Sequence, residues 1–111
     1  MPGNTDLLEP IPPGEILMEE FMRPFGVSTN ALARALAVPP NRIGALVNGT
    51  RAITADTALR LGKYFGTSPE VWLDLQSDYE LRVARRTVWK KVEPTVQRRV
   101  VTDYPRRWVL H

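Results

Sequence analysis

Ser28-Thr29-Asn30-Ala31-Leu32-Ala33-Arg34-Ala35-Leu36-Ala37-Val38-Pro39-Pro40-Asn41-Arg42-Ile43-Gly44-Ala45-Leu46-Val47-Asn48 is the stretch on which the fold turns. It reads as two short helices around a tight turn. The first spans Thr29–Leu36, with Ser28 as N-cap, because a serine hydroxyl accepts an orphan N–H of the first turn. Leu32 and Leu36 stand at i and i+4 with Ala33 beside them, which makes one face apolar. Val38-Pro39-Pro40 breaks that pattern, since a residue before proline leaves the helical region and proline suits the first position of a new helix. The second helix therefore starts near Pro40, turns Ile43, Leu46 and Val47 inward, and stops at Asn48-Gly49, glycine fitting the left-handed position past a helix end.

Two helices of about two turns each, joined by so few residues, must cross steeply. That is the helix-turn-helix arrangement, whose second helix enters the DNA major groove. The outward residues of that helix are Pro40, Asn41, Arg42, Gly44, Ala45 and Asn48. Asn41 suits a bidentate contact to adenine, and Arg42 one to guanine or to phosphate. Gly44 and Ala45 are small enough for close approach to the bases. An ordinary helical hairpin with a solvated outer face shows the same spacing, and the pattern favours DNA over it.

Leu32-Ala33 followed by Ile43, Leu46 and Asn48-Gly49 resembles the helix-turn-helix of the lambda-repressor and Cro (XRE) class. Pro13-Gly14-Glu15-Ile16-Leu17 before the motif, Arg51–Leu61 after it, and then Phe65-Gly66-Thr67-Ser68-Pro69-Glu70-Val71-Trp72-Leu73-Asp74-Leu75-Gln76 sharpen the likeness to HigA-type antitoxins of bacterial toxin–antitoxin operons. The resemblance covers roughly residues 11–86. It implies an all-α, five-helix domain that binds double-stranded operator DNA and neutralises a HigB toxin, an endoribonuclease of the RelE type. It also places the Asn48–Arg51 loop along the phosphate backbone. Ser28, Thr29, Asn48, Thr50 and Arg51 are then the phosphate-binding residues, and such contacts position a protein without reading sequence. The chain departs from the family pattern in three places, the first being that the segment after Arg86 matches nothing in it. Ala37 stands where these motifs carry glycine in the turn, and holding alanine left-handed costs of order 1 kcal/mol. Gly44 stands where a longer, base-reaching side chain is usual.

The 111 residues suit one domain with a modest core. There is no cysteine, which fits a reducing cytoplasm and leaves no disulfide or thiolate site. No signal peptide or membrane span is read, and the net charge is only +3. Its distribution says more. Residues 1–81 hold six basic and ten acidic residues, a net of −4, whereas residues 82–111 hold nine and two, a net of +7. Such asymmetry marks either contact with nucleic acid or an acidic partner, or a solvated helix end with a loosely ordered terminus.

In chain order, 1–11 reads as a flexible arm, 12–86 as the DNA-binding domain, and 87–111 as a basic C-terminal extension. The first helix is expected over Glu15–Met22, with Ile16, Leu17 and Phe21 inward and Glu15, Glu19 and Glu20 outward. Thr54 caps a helix over Ala55–Phe65 with Ala58, Leu61, Gly62 and Phe65 inward. Ser68-Pro69 starts another that runs to about Arg86, with Trp72, Leu75, Gln76, Tyr79 and Val83 on one face. Leu73 and Leu81 lie off that face, so this helix packs on its own domain and on a partner, most economically a second copy. Tyr79, Val83, Trp89 and Trp108 are the candidate dimer or toxin interface. In the tail, Val96, Val100 and Val101 fit one short helix or a strand. Its mix of arginine and tryptophan suits a protein interface first and nucleic acid second.

No catalytic, cofactor or metal site is expected. The one histidine is the last residue, His111, and neither a phosphate-cradling glycine loop nor a His/acid cluster with metal spacing occurs. The rival readings are a stand-alone transcriptional regulator with no toxin and a pure inhibitor that keeps the helix-turn-helix as scaffold.

Overall fold

Pro12-Pro13-Gly14 opens the first helix because proline at the first position forgoes only an N–H that has no helical partner. The computed structural model describes residues 9–100, 105 and 107, and all regular structure among them is helical. The elements are α1 (Pro13–Ile16), a π-helical turn (Leu17–Met22), α2 (Thr29–Leu36), α3 (Pro40–Val47), α4 (Ala55–Phe65), α5 (Pro69–Arg86), α6 (Val88–Val92) and a 3₁₀ turn (Glu93–Thr95).

The first helix departs from expectation twice: it begins at Pro13, and from Leu17 it widens into i→i+5 bonding, with Arg23 N–H donating to Met18 O at 2.8 Å. On a regular α-helix Leu17 and Met22 would point about 140° apart. The wide turn brings both fully inside, and Phe21 stacks at a tilt on Trp72 and Phe65, with ring centroids 5.0 and 5.2 Å away. The recurrence of apolar residues five apart (Ile16/Phe21 and Leu17/Met22) is the sequence trace of that turn.

α2 and α3 form the steeply joined pair. Ser28 Oγ accepts from Ala31 N–H at 3.1 Å. At the other end of α2, Ala37 takes the left-handed conformation (φ 58°, ψ 47°). Its N–H reaches Arg34 O, and Val38 N–H reaches Ala33 O, the paired bonds of a Schellman closure with alanine in the glycine position. α3 starts on Pro40 and ends at Asn48, with Gly49 at φ +84°.

The core joins Leu17, Met22, Leu32, Ala33, Leu36, Ile43, Leu46, Ile53, Ala58, Leu61 and Trp72. Two glycines allow backbones to meet in it. A Cβ on Gly14 would collide with the Leu46 carbonyl of α3, and one on Gly62 would stand 2.7 Å from Thr67 O. α4 and α5 start and end where expected, on Thr54 and Ser68 caps. Trp72 is wholly buried, and its Nε1–H donates to Thr67 Oγ1 at 2.8 Å, so the indole leaves no stranded donor.

The tail differs from its reading. Its helix is α6, over Val88–Val92, and not a segment around Val96; Glu93-Pro94 turns the chain, and Val96 is extended (φ −93°, ψ 122°). Every described residue from Thr87 onward is exposed. At the other end, residues 9–11 of the expected arm lie against α5: Glu9 pairs with Arg86 at 3.6 Å, and Pro10 and Ile11 line a hollow with Ile16, Leu75 and Tyr79.

Candidate nucleic-acid interface

The inward face of α3 is set by Ile43 and Leu46, both buried, and this turns Asn41, Gly44, Ala45 and Asn48 away, with Pro40 open on the first turn beside them. Pro40, Asn41 and Asn48 are exposed, and Gly44 and Ala45 are half-buried. A Cβ built on Gly44 would meet no atom within 4 Å, so the middle of this face is open.

Arg42 is at the margin. Its guanidinium turns to α4, where Nη1 donates to Asp56 Oδ2 at 3.3 Å, and its side chain is only 25% exposed. Asp56 Oδ2 also accepts from Arg60 Nε at 2.9 Å, and Arg60 Nη1 donates to Leu36 O at 2.7 Å and to Ala37 O at 3.3 Å. The carboxylate therefore links α3 to α4, and Arg60 links α4 to the end of α2. The hydrogen bond from Arg60 holds the Asp56 carboxyl below the usual aspartate value. Desolvation, second in size to that bond, opposes it, and attraction to Arg60 and Arg42 acts with the bond. The Asp56/Arg60 pair at i, i+4 was visible in sequence, but its reach to Arg42 and to Leu36 was not.

The loop after α3 is tightly closed. Thr50 N–H and Arg51 N–H both donate to Ala45 O, at 3.0 and 3.1 Å. Asn48 Oδ1 accepts from Thr50 N–H at 3.0 Å and from Thr50 Oγ1 at 2.7 Å. The Thr50 hydroxyl is thus already engaged, whereas Arg51 stands exposed beside it. At the far side, Gln76 of α5 anchors the next turn: its Oε1 accepts from Ile53 N–H at 2.9 Å, and its Nε2 donates to Glu80. Ser28 is exposed and Thr29 half-buried at the amino end of α2.

A second surface lies on α5 and α6. Tyr79 and Val83 are half-buried, and Tyr79 already faces Pro10 and Ile11. The open apolar residues are others. Leu81 and Val88, with Trp89, Ala84 and Arg85, line a shallow hollow of about 360 Å³. Sequence reasoning passed over Val88 because it lies at the helix break. Trp108 lies outside the described residues. Among the described residues, no group of three acidic, histidine or cysteine side chains is placed to hold a metal ion, and no helix is long and apolar enough to cross a membrane.

A helical frame that holds one short helix with its outer face open, entered through a fixed turn, defines a helix-turn-helix protein. Comparison with known proteins agrees. A helix-turn-helix family model matches residues 18–72. Virulence-associated protein I of Dichelobacter nodosus is 48% identical over 86 residues, which cover 78% of this chain and 80% of that protein. Among solved structures, an addiction module antidote protein of the HigA family from Coxiella burnetii superposes with a TM-score of 0.78 at 51% identity, over 83% of this chain and all of that one. Pseudomonas aeruginosa antitoxin HigA with the higBA promoter gives 0.76 at 45% identity, over 79% and 96%. The chain belongs to the XRE-type helix-turn-helix family, in the branch that holds the HigA antitoxins.

Proposed function

We propose that this chain is a homodimeric repressor of its own operon that also neutralises a HigB/RelE-type endoribonuclease toxin in the cytoplasm. The observation that carries the DNA half is the outward face of α3, unobstructed at Gly44 and held at a fixed angle by the Ala37 turn and the Asp56–Arg60 link. Residues 12–86 form the binding domain, and 87–111 are a basic extension. Two copies would set their α3 helices about 34 Å apart, matching the halves of a palindromic operator. Pro40, Asn41, Gly44 and Ala45 then meet base edges, with Arg42 at the margin. Ser28, Thr29, Asn48, Thr50 and Arg51 line the phosphates, Arg51 being the exposed cation of the set.

The promoter-bound Pseudomonas relative supports operator binding, and the antidote name of the Coxiella relative supports a toxin partner. The exposed strip of Leu81, Val88 and Trp89, continuous with the basic residues of α6, is the surface offered to the second copy or the toxin.

Purification of the tagged chain from its native host, with mass spectrometry and sequencing of bound DNA, tests both halves. A stoichiometric small protein together with DNA from upstream of its own gene is expected. DNA alone would make the chain a stand-alone regulator. The protein alone would remove the operator reading.

A further inference from the structure

The outward face of α3 carries little hydrogen-bonding chemistry. Pro40, Gly44 and Ala45 bring no polar side-chain atom to it. Asn48 commits Oδ1 to the N–H and hydroxyl of Thr50. Arg42 is turned aside by Asp56 at 3.3 Å. What remains is the Asn41 amide, the Nδ2 donor of Asn48 at the helix end, and a low apolar strip, bare at Gly44, where an added Cβ would touch nothing within 4 Å. Low relief lets the helix axis settle closer to the groove floor than a face of long side chains would. The apolar feature that the major groove presents is the C5-methyl of thymine.

We propose that α3 reads its half-site chiefly by seating thymine methyl groups against Pro40, Gly44 and Ala45, with Asn41 as the polar reader and Asp56 as a positioning residue that keeps the Arg42 guanidinium off the bases. An arginine free to swing into the groove would favour guanine, whose O6 and N7 it grips bidentately. Holding it on α4 removes that preference and leaves a thymine-weighted face. This specificity rests on the DNA-binding reading above.

The test begins with duplexes enriched by the purified protein from a random-sequence library. Each thymine in the enriched site is then replaced by deoxyuridine, which deletes the methyl and leaves every hydrogen-bonding group in place. Affinity is expected to fall about fourfold at the contacted positions, the worth of one buried methyl-sized group, and to stay unchanged elsewhere. Gly44→Ala supplies the second arm. Its Cβ meets no protein atom, so its thermal midpoint should equal or exceed that of the wild type while DNA affinity drops at least about tenfold. In the third arm, Asp56→Asn should raise the share of guanine in the enriched sites. Uniform indifference to deoxyuridine, or wild-type affinity in Gly44→Ala, overturns the proposal. Failure to enrich any duplex overturns the DNA-binding reading itself.

Discussion

Nη1 of Arg60, on α4, lies 2.7 Å from the carbonyl oxygen of Leu36 at the end of α2. The last carbonyls of a helix lack intrahelical partners and carry its negative end, so a guanidinium there answers both needs. The same side chain places Nε on Asp56, which in turn holds Arg42 of α3. One residue on the supporting helix thereby ties both members of the helix-turn-helix to their neighbour.

Arg60→Ala should therefore cost about 1–2 kcal/mol, the range of one charge-assisted bond to a partly exposed helix end. Arg60→Lys should recover less than half of it, because a point charge cannot meet Leu36 O and Asp56 together as a planar fork does. Urea unfolding of the three proteins gives the comparison. Full recovery by lysine would mean that only net charge matters here.

Acid should weaken this link. The Asp56 carboxyl ionises at lower pH in the folded chain than is usual for aspartate, first through its bond from Arg60. Folding then favours the ionised form. Its contribution is fully present above the ordinary aspartate value, about 4, and is lost as pH falls through the lower folded value. Asp56→Asn should be less stable than wild type at pH 7, and the gap should close as pH falls below the ordinary aspartate range. Because Asp56 is more than half exposed, added salt should narrow the gap at neutral pH as well. A gap that persists unchanged in acid would mean that the carboxylate's charge is not what acts.

Ala37 gives a test of opposite sign. It sits left-handed and exposed at the close of α2. Relief of its Cβ strain, less the greater unfolded-state entropy of glycine, leaves Ala37→Gly stabilising by up to about 1 kcal/mol. Gly14→Ala should do the reverse, at about 3 kcal/mol or more, since its Cβ would strike backbone that α1 and α3 both need in place. Thermal melts of the two variants should move in opposite directions, and a loss in Ala37→Gly would mean that the Schellman closure is not what terminates α2 in solution.

The helix borders were readable because local chemistry sets them: Ser28, Thr54 and Ser68 caps, Pro40 and Pro69 starts, and a left-handed stop at Gly66. What sequence left hidden depends on tertiary packing. The π turn at Leu17–Met22 is fixed by Phe21 finding Phe65 and Trp72, residues more than forty positions away. The pairing of Arg42 with Asp56 spans fourteen residues and crosses from one helix to another, so Arg42 looked free for base contact when read along α3 alone. α6 escaped because Val88–Val92 carries no cap and Thr87 interrupts the helix before it.

The two sides of the proposed interface should separate under salt. Arg51 is exposed beside a loop whose backbone donors and Thr50 hydroxyl are engaged, and no ion pair among the described residues spends its charge. Arg51→Ala should weaken binding to every duplex by a similar factor and lower the slope of log affinity against log salt by about 0.9, the signature of one released counterion. Asn41 lies on the open face and carries an amide suited to adenine. Asn41→Ala should leave the salt slope unchanged, relax preference at one base pair and cost about 1–3 kcal/mol on the specific site only. Salt titrations of both variants on an enriched duplex and on random DNA decide the assignment. Equal losses on both duplexes for Asn41→Ala would move it to the phosphate side, and a base-specific loss for Arg51→Ala would exchange the two roles.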